Sequence, residues 1–392
     1  MAVAAVVLFG LLAPFVSSAQ PSDESRIEIE DLQCRGNVAT SCDFILGYVY
    51  LDRGDPLDET EIRNAQLRLA TLRMFKSVNI YLEKGTARGK ALVIIEVVEA
   101  HPLVTEWLAG ASYRLGAFRS VTAGRLTHQN LFGTGKFADL SVSTVQPLHG
   151  PHQESYVAAL RYADPHLFGS RRYFGIASAR YVDAEATTRH GNFGENTMLR
   201  FGVMLGRRLW DFSYLSIGYG YRARLEQFSG AWQSDGTFEL NDDRNRHAFD
   251  LLYGWNSEDD IYFPTQGSSF YSGFGWNTGS DDPSSELHLQ FRKTWPALGG
   301  YLSLKIGGDA RPEYRETFEE GQLFTVSYAR PLAPGDFVRR GRWYVDVGLS
   351  DAGYEEGGRA VSELGLKVGM RLETSSLGLI DLYILATKGP DR

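Results

Sequence analysis

The sequence predicts a mostly-β protein: a transmembrane antiparallel β-barrel of about 15–16 strands preceded by one small α+β domain. Three observations predict it. From residue 103 onward the apolar pattern has period two, in segments long enough to cross a bilayer as tilted strands of about 9–11 residues. Before residue 100 the pattern instead mixes strand and helix periods. The composition is aromatic and glycine-rich, with 20 Tyr, 22 Phe and 42 Gly against 2 Cys and 5 Met. That suits the aromatic girdles of a membrane barrel. Composition alone fits a soluble all-β protein nearly as well. The number of long segments and an export signal separate the two, because open sheets of that many strands are rare in water.

The export signal comes first. Ala2 to Ala13 is almost wholly apolar, Pro14 breaks the run, and Ser17-Ser18-Ala19 offers small residues for cleavage before Gln20. Residues 1–19 read as a signal peptide, although no Lys or Arg follows Met1. The run is too short for a spanning helix, which needs ~20 residues. No other run of that length occurs, so passage through a membrane falls to a barrel. The net charge of −8, without a basic run, argues against a nucleic-acid partner.

Residues 20–100 form the small domain, in the order strand, helix, helix, strand, strand. Arg26 to Leu32 alternates polar and apolar, and Gly36-Asn37 turns the chain. Thr40 or Ser41 can cap a helix with Phe44, Ile45, Tyr48 and Val49 on its apolar face. Asp58 caps a second, with Ile62, Ala65, Leu69 and Leu72 at spacings of three and four. Val78, Ile80 and Leu82 alternate, Gly85 and Gly89 mark a hairpin, and Leu92 to Val98 reads as a more buried strand. Cys34 and Cys42 are the two cysteines. No His lies near them, so a metal site lacks ligands, and a local disulfide in an oxidising compartment is expected, with two free thiols as the alternative.

Residues 101–392 form the barrel. The alternating segments are 103–113, 118–129, 137–147, 153–163, 171–184, 196–209, 212–226, 246–256, 267–277, 285–295, 299–310, 321–331, 340–350, 362–372 and 377–387. Leu215, Ile217, Tyr219, Tyr221 and Ala223 form one face of the seventh. Ser216, Gly218, Gly220, Arg222 and Arg224 form the other, which in a membrane barrel lines the lumen. Short links such as 130–136 and 210–213 contrast with longer polar ones at 183–196, 227–244 and 279–285, as outer-membrane topology requires. Trp210, Trp255, Trp276 and Trp295 fall near segment ends, where interface anchors belong.

These residues resemble the BamA/TamA superfamily of outer-membrane assembly proteins. Residues 26–99 are similar to a single POTRA domain through Gly36-Asn37, Leu51-Asp-Arg-Gly-Asp-Pro-Leu-Asp58, Leu69-Ala-Thr-Leu-Arg-Met-Phe-Lys-Ser-Val78 and Ile95-Glu-Val-Val-Glu99. In the barrel the resemblance rests on the order and spacing of short motifs. They are Asn130-Leu-Phe-Gly-Thr-Gly135, Asp164-Pro-His-Leu-Phe168, Tyr262-Phe-Pro-Thr-Gln-Gly267, Tyr344-Val-Asp-Val-Gly348, Gly365 to Leu372 and Leu377 to Tyr383. The resemblance implies a barrel of about sixteen strands, placed in the outer membrane with the small domain in the periplasm. It also implies assembly, insertion or translocation of proteins by strand pairing without nucleotide. The implied partners are outer-membrane lipid and lipopolysaccharide, an unfolded β-barrel or secreted client, and periplasmic or lipoprotein accessory subunits.

Two departures stand out. The family's lumen loop carries a Val-Arg-Gly-Phe or Val-Arg-Gly-Tyr motif, but here the link 311–321 lacks it, and Phe337-Val-Arg-Arg-Gly341 lies in a turn instead. Asp346 matches the acidic partner of the family Arg, so Arg311 or Arg315 is the substitute expected to pair with it. The chain also stops at Arg392, after the family's penultimate strand by this count. A further strand overlooked, further chain or a different closure are the three ways out.

The sequence is poor in catalytic signals. Gly-x-Ser-x-Gly and His-Glu-x-x-His are absent, no cofactor motif appears, and an enzyme ranks last. His149 and His152 flank a loop without further ligands, and Gly133-Thr-Gly135 has no following helix to hold a phosphate. Glu258-Asp259-Asp260 and Asp281-Asp282 read as solvated loops ahead of cation sites. In the small domain, Val78, Asn79, Ile80, Tyr81 and Leu82 are placed at a sheet edge, where a client strand could add. A plug or an anchor is the alternative. Two other functions stay open: a pore for a dedicated secreted partner, and an anchoring barrel without insertase activity.

Overall fold

The computed structural model describes residues 27–114, 117–149, 153–187, 193–232, 238–240, 246–260, 262–278, 284–307, 322–356 and 359–388. The signal segment, Arg311, Arg315, His152, Asp281 and Asp282 lie outside them.

The N-terminal domain follows the predicted order. β1 is Glu28–Arg35, α1 Cys42–Leu46, α2 Glu59–Ala70, β2 Phe75–Lys84 and β3 Lys90–Glu99. The sheet order is β1-β3-β2, with β1 parallel and β2 antiparallel to β3. Ser41 and Asp58 cap the helices by accepting backbone N–H groups. α1 is shorter than its pattern suggests. Gly47 ends it, and Tyr48 and Val49 reach the core from the turn beyond. That core packs Ile45, Ala65 and Leu69 on Ile29, Val93 and Ile95, all fully buried.

The barrel strands are β4 (Leu103–Arg114), β5 (Ala117–Leu131), β6 (Lys136–His149), β7 (Gln153–Asp164), β8 (Tyr173–Thr187), β9 (Phe193–Arg208), β10 (Ser213–Trp232), then a short β11 (Phe238–Leu240). They continue with β12 (Arg246–Asn256), β13 (Gly267–Thr278), β14 (Ser284–Ala297), β15 (Gly300–Gly307), β16 (Gln322–Leu332), β17 (Val338–Glu356), β18 (Arg359–Thr374) and β19 (Leu379–Lys388). Every alternating segment is a strand. The added β11 pairs with the tip of β10 and takes no part in closure. Fifteen strands therefore form the closed wall.

Closure follows from that odd number. Neighbours along the chain pair antiparallel, so the first and last strands of fifteen run the same way. β19 lies against β4 in parallel, from Leu379↔Glu106 to Ala386↔Tyr113. Among the described residues the closure is thus a parallel one, unlike the antiparallel pairing of neighbours elsewhere in the wall. The ring of Tyr383 lies over Gly110 across this seam. A Cβ there would come within 2.5 Å of the ring, so glycine is required by the close approach.

Burial along the wall is inverted relative to a soluble sheet. Ile217, Ile384 and Leu287 point outward with 60%, 65% and 69% exposure, while inward Ser216 and Asp139 are each 2% exposed. A continuous apolar outer band of this kind is stable only against lipid. Connections of two to ten residues form the rim that faces the N-terminal domain, here the near rim. The far-side connections lie wholly or partly outside the described residues. Trp210, 71% exposed, sits in a near-rim turn.

Candidate functional site

The edge of β2 is one half of the site. β1 is covered on its outer side: Gly54 N–H donates to Ile29 C=O at 2.8 Å, and Ile29 N–H donates to Asp55 C=O at 2.9 Å. Among the described residues β2 has a strand partner on one side alone. Gln66 Nε2 donates to Val78 C=O at 3.1 Å, so this carbonyl points away from β3. Strand alternation then aims the polar groups of Ile80 and Leu82 outward as well. Val78 and Ile80 bury their side chains under the helices, whereas Asn79 and Leu82 are exposed. Tyr81 lies on the other face, where its hydroxyl accepts from Arg35 at 3.2 Å.

Cys34 and Cys42 are joined by a disulfide with Cα atoms 5.7 Å apart. It ties down the loop between β1 and α1, as does Glu99, which accepts from Ala39 N–H at 2.9 Å and Thr40 N–H at 2.7 Å. Burial pushes the Glu99 carboxyl up, but these hydrogen bonds outweigh it and hold it below the ordinary carboxylate value.

This tied loop docks on the near rim. Ser41 N–H donates to Gly133 C=O at 2.8 Å, and Asn130 Nδ2 donates to Thr40 Oγ1 at 2.8 Å. Phe44 fills the space a side chain at Gly135 would need, and Gly135 itself has φ +69°. The Gly133-Thr-Gly135 turn is thus a landing pad for the domain. α2 adds a polar clamp: Arg68, 7% exposed, donates to Asp211 at 2.6 Å and to Tyr48 C=O at 2.9 Å, and also pairs with Glu61. Asn64 reaches the same Asp211 at 2.9 Å. His166, in the turn before β8, lies against Phe44 and Tyr48 with ring centroids 5.0 and 5.2 Å away. Burial, then the nearby Arg208 charge, lowers its pKa to about 4.

The connection between β12 and β13 enters the mouth and braces the seam. Tyr262 donates its hydroxyl to Glu106 on β4, and its carbonyl accepts from Arg371 on β18 at 3.2 Å. Arg371 pairs with Asp381 on β19, with Nε at 2.9 Å, and Tyr344 on β17 donates to the same carboxylate at 2.8 Å. Arg73 of the N-terminal domain lies 3.0 Å from the Tyr262 ring centroid and 3.8 Å from Glu106. One tyrosine therefore links the domain to strands on both sides of the seam.

The acidic run beside it is not solvated, contrary to expectation. The Glu258 side chain is 1% exposed and pairs with Arg292. Asp259 accepts from Thr265 N–H at 2.9 Å, and Asp260 from Tyr262 N–H and Arg340, each at 2.8 Å. These carboxylates fold the loop inward against lumen arginines, because a buried charge must be paired. Asp346 faces the lumen opposite Ser327 and Lys367 in the strand register. Its expected partners Arg311 and Arg315 are not among the described residues. Arg68 and Asp211 had no signal in the sequence beyond their type, whereas His166 and Asp381 lay unremarked inside two of the short motifs. Tyr262 stood at the head of another.

Under the docked domain lies a chamber of about 450 Å³, lined by Phe44, Tyr48 and Met74 from the domain and Phe137, Phe174 and Tyr214 from the barrel. A second cavity of about 600 Å³ lies against the wall from β7 to β13. The two share Arg161, Ile176 and Met204.

Residues 130–374 match the family model for the Omp85 superfamily domain. This chain belongs to the Omp85 superfamily. Its barrel is thus an outer-membrane type, and two solved CdiB structures share the fold. CdiB from Escherichia coli aligns at TM-score 0.59 and 11% identity, covering 89% of this chain and 70% of that one. CdiB from Acinetobacter baumannii aligns at 0.54 and 13%, covering 90% and 69%. BamA from Haemophilus ducreyi lacking POTRA domains 1–3 aligns at 0.46 and 15%, covering 93% and 81%. No curated protein matches this Omp85 chain in sequence.

Proposed function

We propose that this Omp85 barrel inserts or translocates proteins at the outer membrane without nucleotide, its N-terminal domain acting in the periplasm as a POTRA domain. The outer edge of β2, which no described strand covers, carries this reading. An unfolded client segment adds to Val78, Asn79, Ile80, Tyr81 and Leu82 through backbone hydrogen bonds, as strands do at other unpaired edges. The edge belongs to a domain docked over the barrel mouth, so a captured segment is delivered beside the seam. Lipid and lipopolysaccharide surround the barrel, and accessory subunits have the remaining domain surface.

Leu82→Pro tests the edge. It removes one outward N–H, its side chain is exposed, and pairing with β3 does not use that N–H. Cross-linking of unfolded outer-membrane client to the purified chain should fall severalfold while the domain stays folded. Unchanged capture would remove the edge from the mechanism.

The chamber and the cavity beyond it favour a second reading, a translocation pore for a dedicated secreted partner. Single-channel conductance of the full chain distinguishes the two: steady openings support a pore, whereas a silent barrel that still integrates clients supports insertion.

A further inference from the structure

Arginines line one stretch of the lumen in a single row. Arg180 on β8 stands opposite Arg200 on β9, Arg200 opposite Arg222 on β10, and Arg222 opposite Arg246 on β12. With strands about 4.8 Å apart, the row spans roughly 14 Å of wall. Its side chains share the face of buried Ser216 and Leu252, which is the lumen face. Like charges directly opposite one another destabilise a sheet, and alternating signs would serve a merely polar lining better. The four arginines, each with an interaction of its own, thus form one line of like charge across four strands. The chain as a whole is negative, at −8.

What lies beside the row gives it a shape. One pleat nearer the domain, the inward positions on the same four strands are Ser178, Gly202, Gly220 and Ala248. These small residues form a shelf, and the cavity of about 600 Å³ opens over it. Arg161 and the four row arginines line that cavity, and Asp250 is the one carboxylate among the described lining residues. Each guanidinium carries five N–H donors in a fork, so a group already holding one partner can hold another. The cavity borders the chamber beneath the domain, with Arg161, Ile176 and Met204 lining both.

We propose that the row Arg180, Arg200, Arg222 and Arg246 is a lumenal binding wall for an extended acidic polypeptide segment. Carboxylates of the segment engage successive guanidiniums, and its backbone lies over the small-residue shelf. A polypeptide fits better than a lone anion, because the cations are spread along a line that only a repeating chain can follow. The inference rests on the reading that polypeptide enters this lumen.

The test uses the full chain in detergent and a labelled peptide rich in Asp and Glu, followed by fluorescence anisotropy. The matching Asn/Gln peptide and sulfate are the controls. Binding of the acidic peptide should weaken steeply with salt, and Arg200→Gln with Arg222→Gln should weaken it about tenfold or more. Retention of the faster unheated gel band certifies that the variant is folded. If it does not fold, Arg222→Gln alone and the salt titration of the unaltered chain decide. Equal binding of the acidic and neutral peptides, equal binding by the variant, or sulfate competing as strongly as the acidic peptide at equal concentration would each overturn the proposal. Acidic-peptide binding that survives while Leu82→Pro has no effect on client capture would sink the edge reading and leave the wall. The reverse pattern would sink the wall alone.

Discussion

The N-terminal domain and the barrel use the same strand alternation to opposite ends. In the domain, Val93 and Ile95 point into a dry core under two helices, and the far face of the sheet carries the Arg35–Glu83 pair. In the barrel, Ile217 and Leu251 point out, while the inside holds Asp139, Arg161, Arg371 and Asp381. A period of two says that a strand has two unlike faces, and the solvent decides which is buried. Water buries the apolar face and lipid exposes it. The same substitution should then have different consequences in the two parts.

The largest expected effect is Asp381→Ala. It removes the carboxylate that Arg371 and the Tyr344 hydroxyl share inside the lumen, and removing one partner of a buried pair costs about 3–5 kcal/mol. The temperature at which the compact gel band is lost should fall sharply, and an unchanged temperature would show that the seam does not depend on this pair. Next comes a matched pair of substitutions. Leu69→Ala should cost the domain about 2–5 kcal/mol, read as faster hydrogen exchange in α2 with the barrel band unaltered. Ile217→Lys should cost the barrel roughly 2–4 kcal/mol and leave α2 exchange as it was. Crossed effects would mean that the two parts unfold as one body.

Arg68→Ala sharpens the boundary between them. It removes hydrogen bonds to a carboxylate worth about 1.5–3 kcal/mol, so the domain should lift from the near rim. A spin-label pair across the contact would report a longer and broader distance. Smallest is the pH response. Free of the contact, His166 loses its cover and its pKa rises toward the ordinary 6.5, but docked it takes up a proton only at about 4. Between those values the undocked form binds more protons, so docking is full above 6.5 and weakens progressively as pH falls toward 4. The same label pair should lengthen on acidification, and His166→Phe should abolish the response.

Much of the fold was legible because alternation is a local signal. All fifteen wall segments, Ser41 and Asp58 as caps, and the Gly85 and Gly89 hairpin could be read from short windows. Strand ends were less so. β10 and β17 run on into residues whose Gly, Ser and Asp content reads as loop, because a barrel strand pairs past the bilayer as long as its neighbour does. Closure was not legible. Nothing near Leu379 says that its neighbour is Glu106, since that contact depends on how many strands lie between. The same limit hid the arginine row. Arg222 was visibly inward, but the alignment of Arg180, Arg200 and Arg246 with it is a matter of register across three hairpins. The Glu258 run was misread for a related reason. Its acidity was plain, and the Arg292 that buries it lies two strands away.

The central claim is a fifteen-strand wall closed by a parallel β4–β19 seam, and engineered cysteines test it most directly. Ala109 and Leu382 are register partners on the outer face. Ala109→Cys with Leu382→Cys should form a disulfide in the folded chain, and the cross-linked barrel should resist unfolding when heated. Cross-linking of Ala109→Cys with Ile384→Cys in its place, or of neither pair, would contradict the parallel register and the closure built on it.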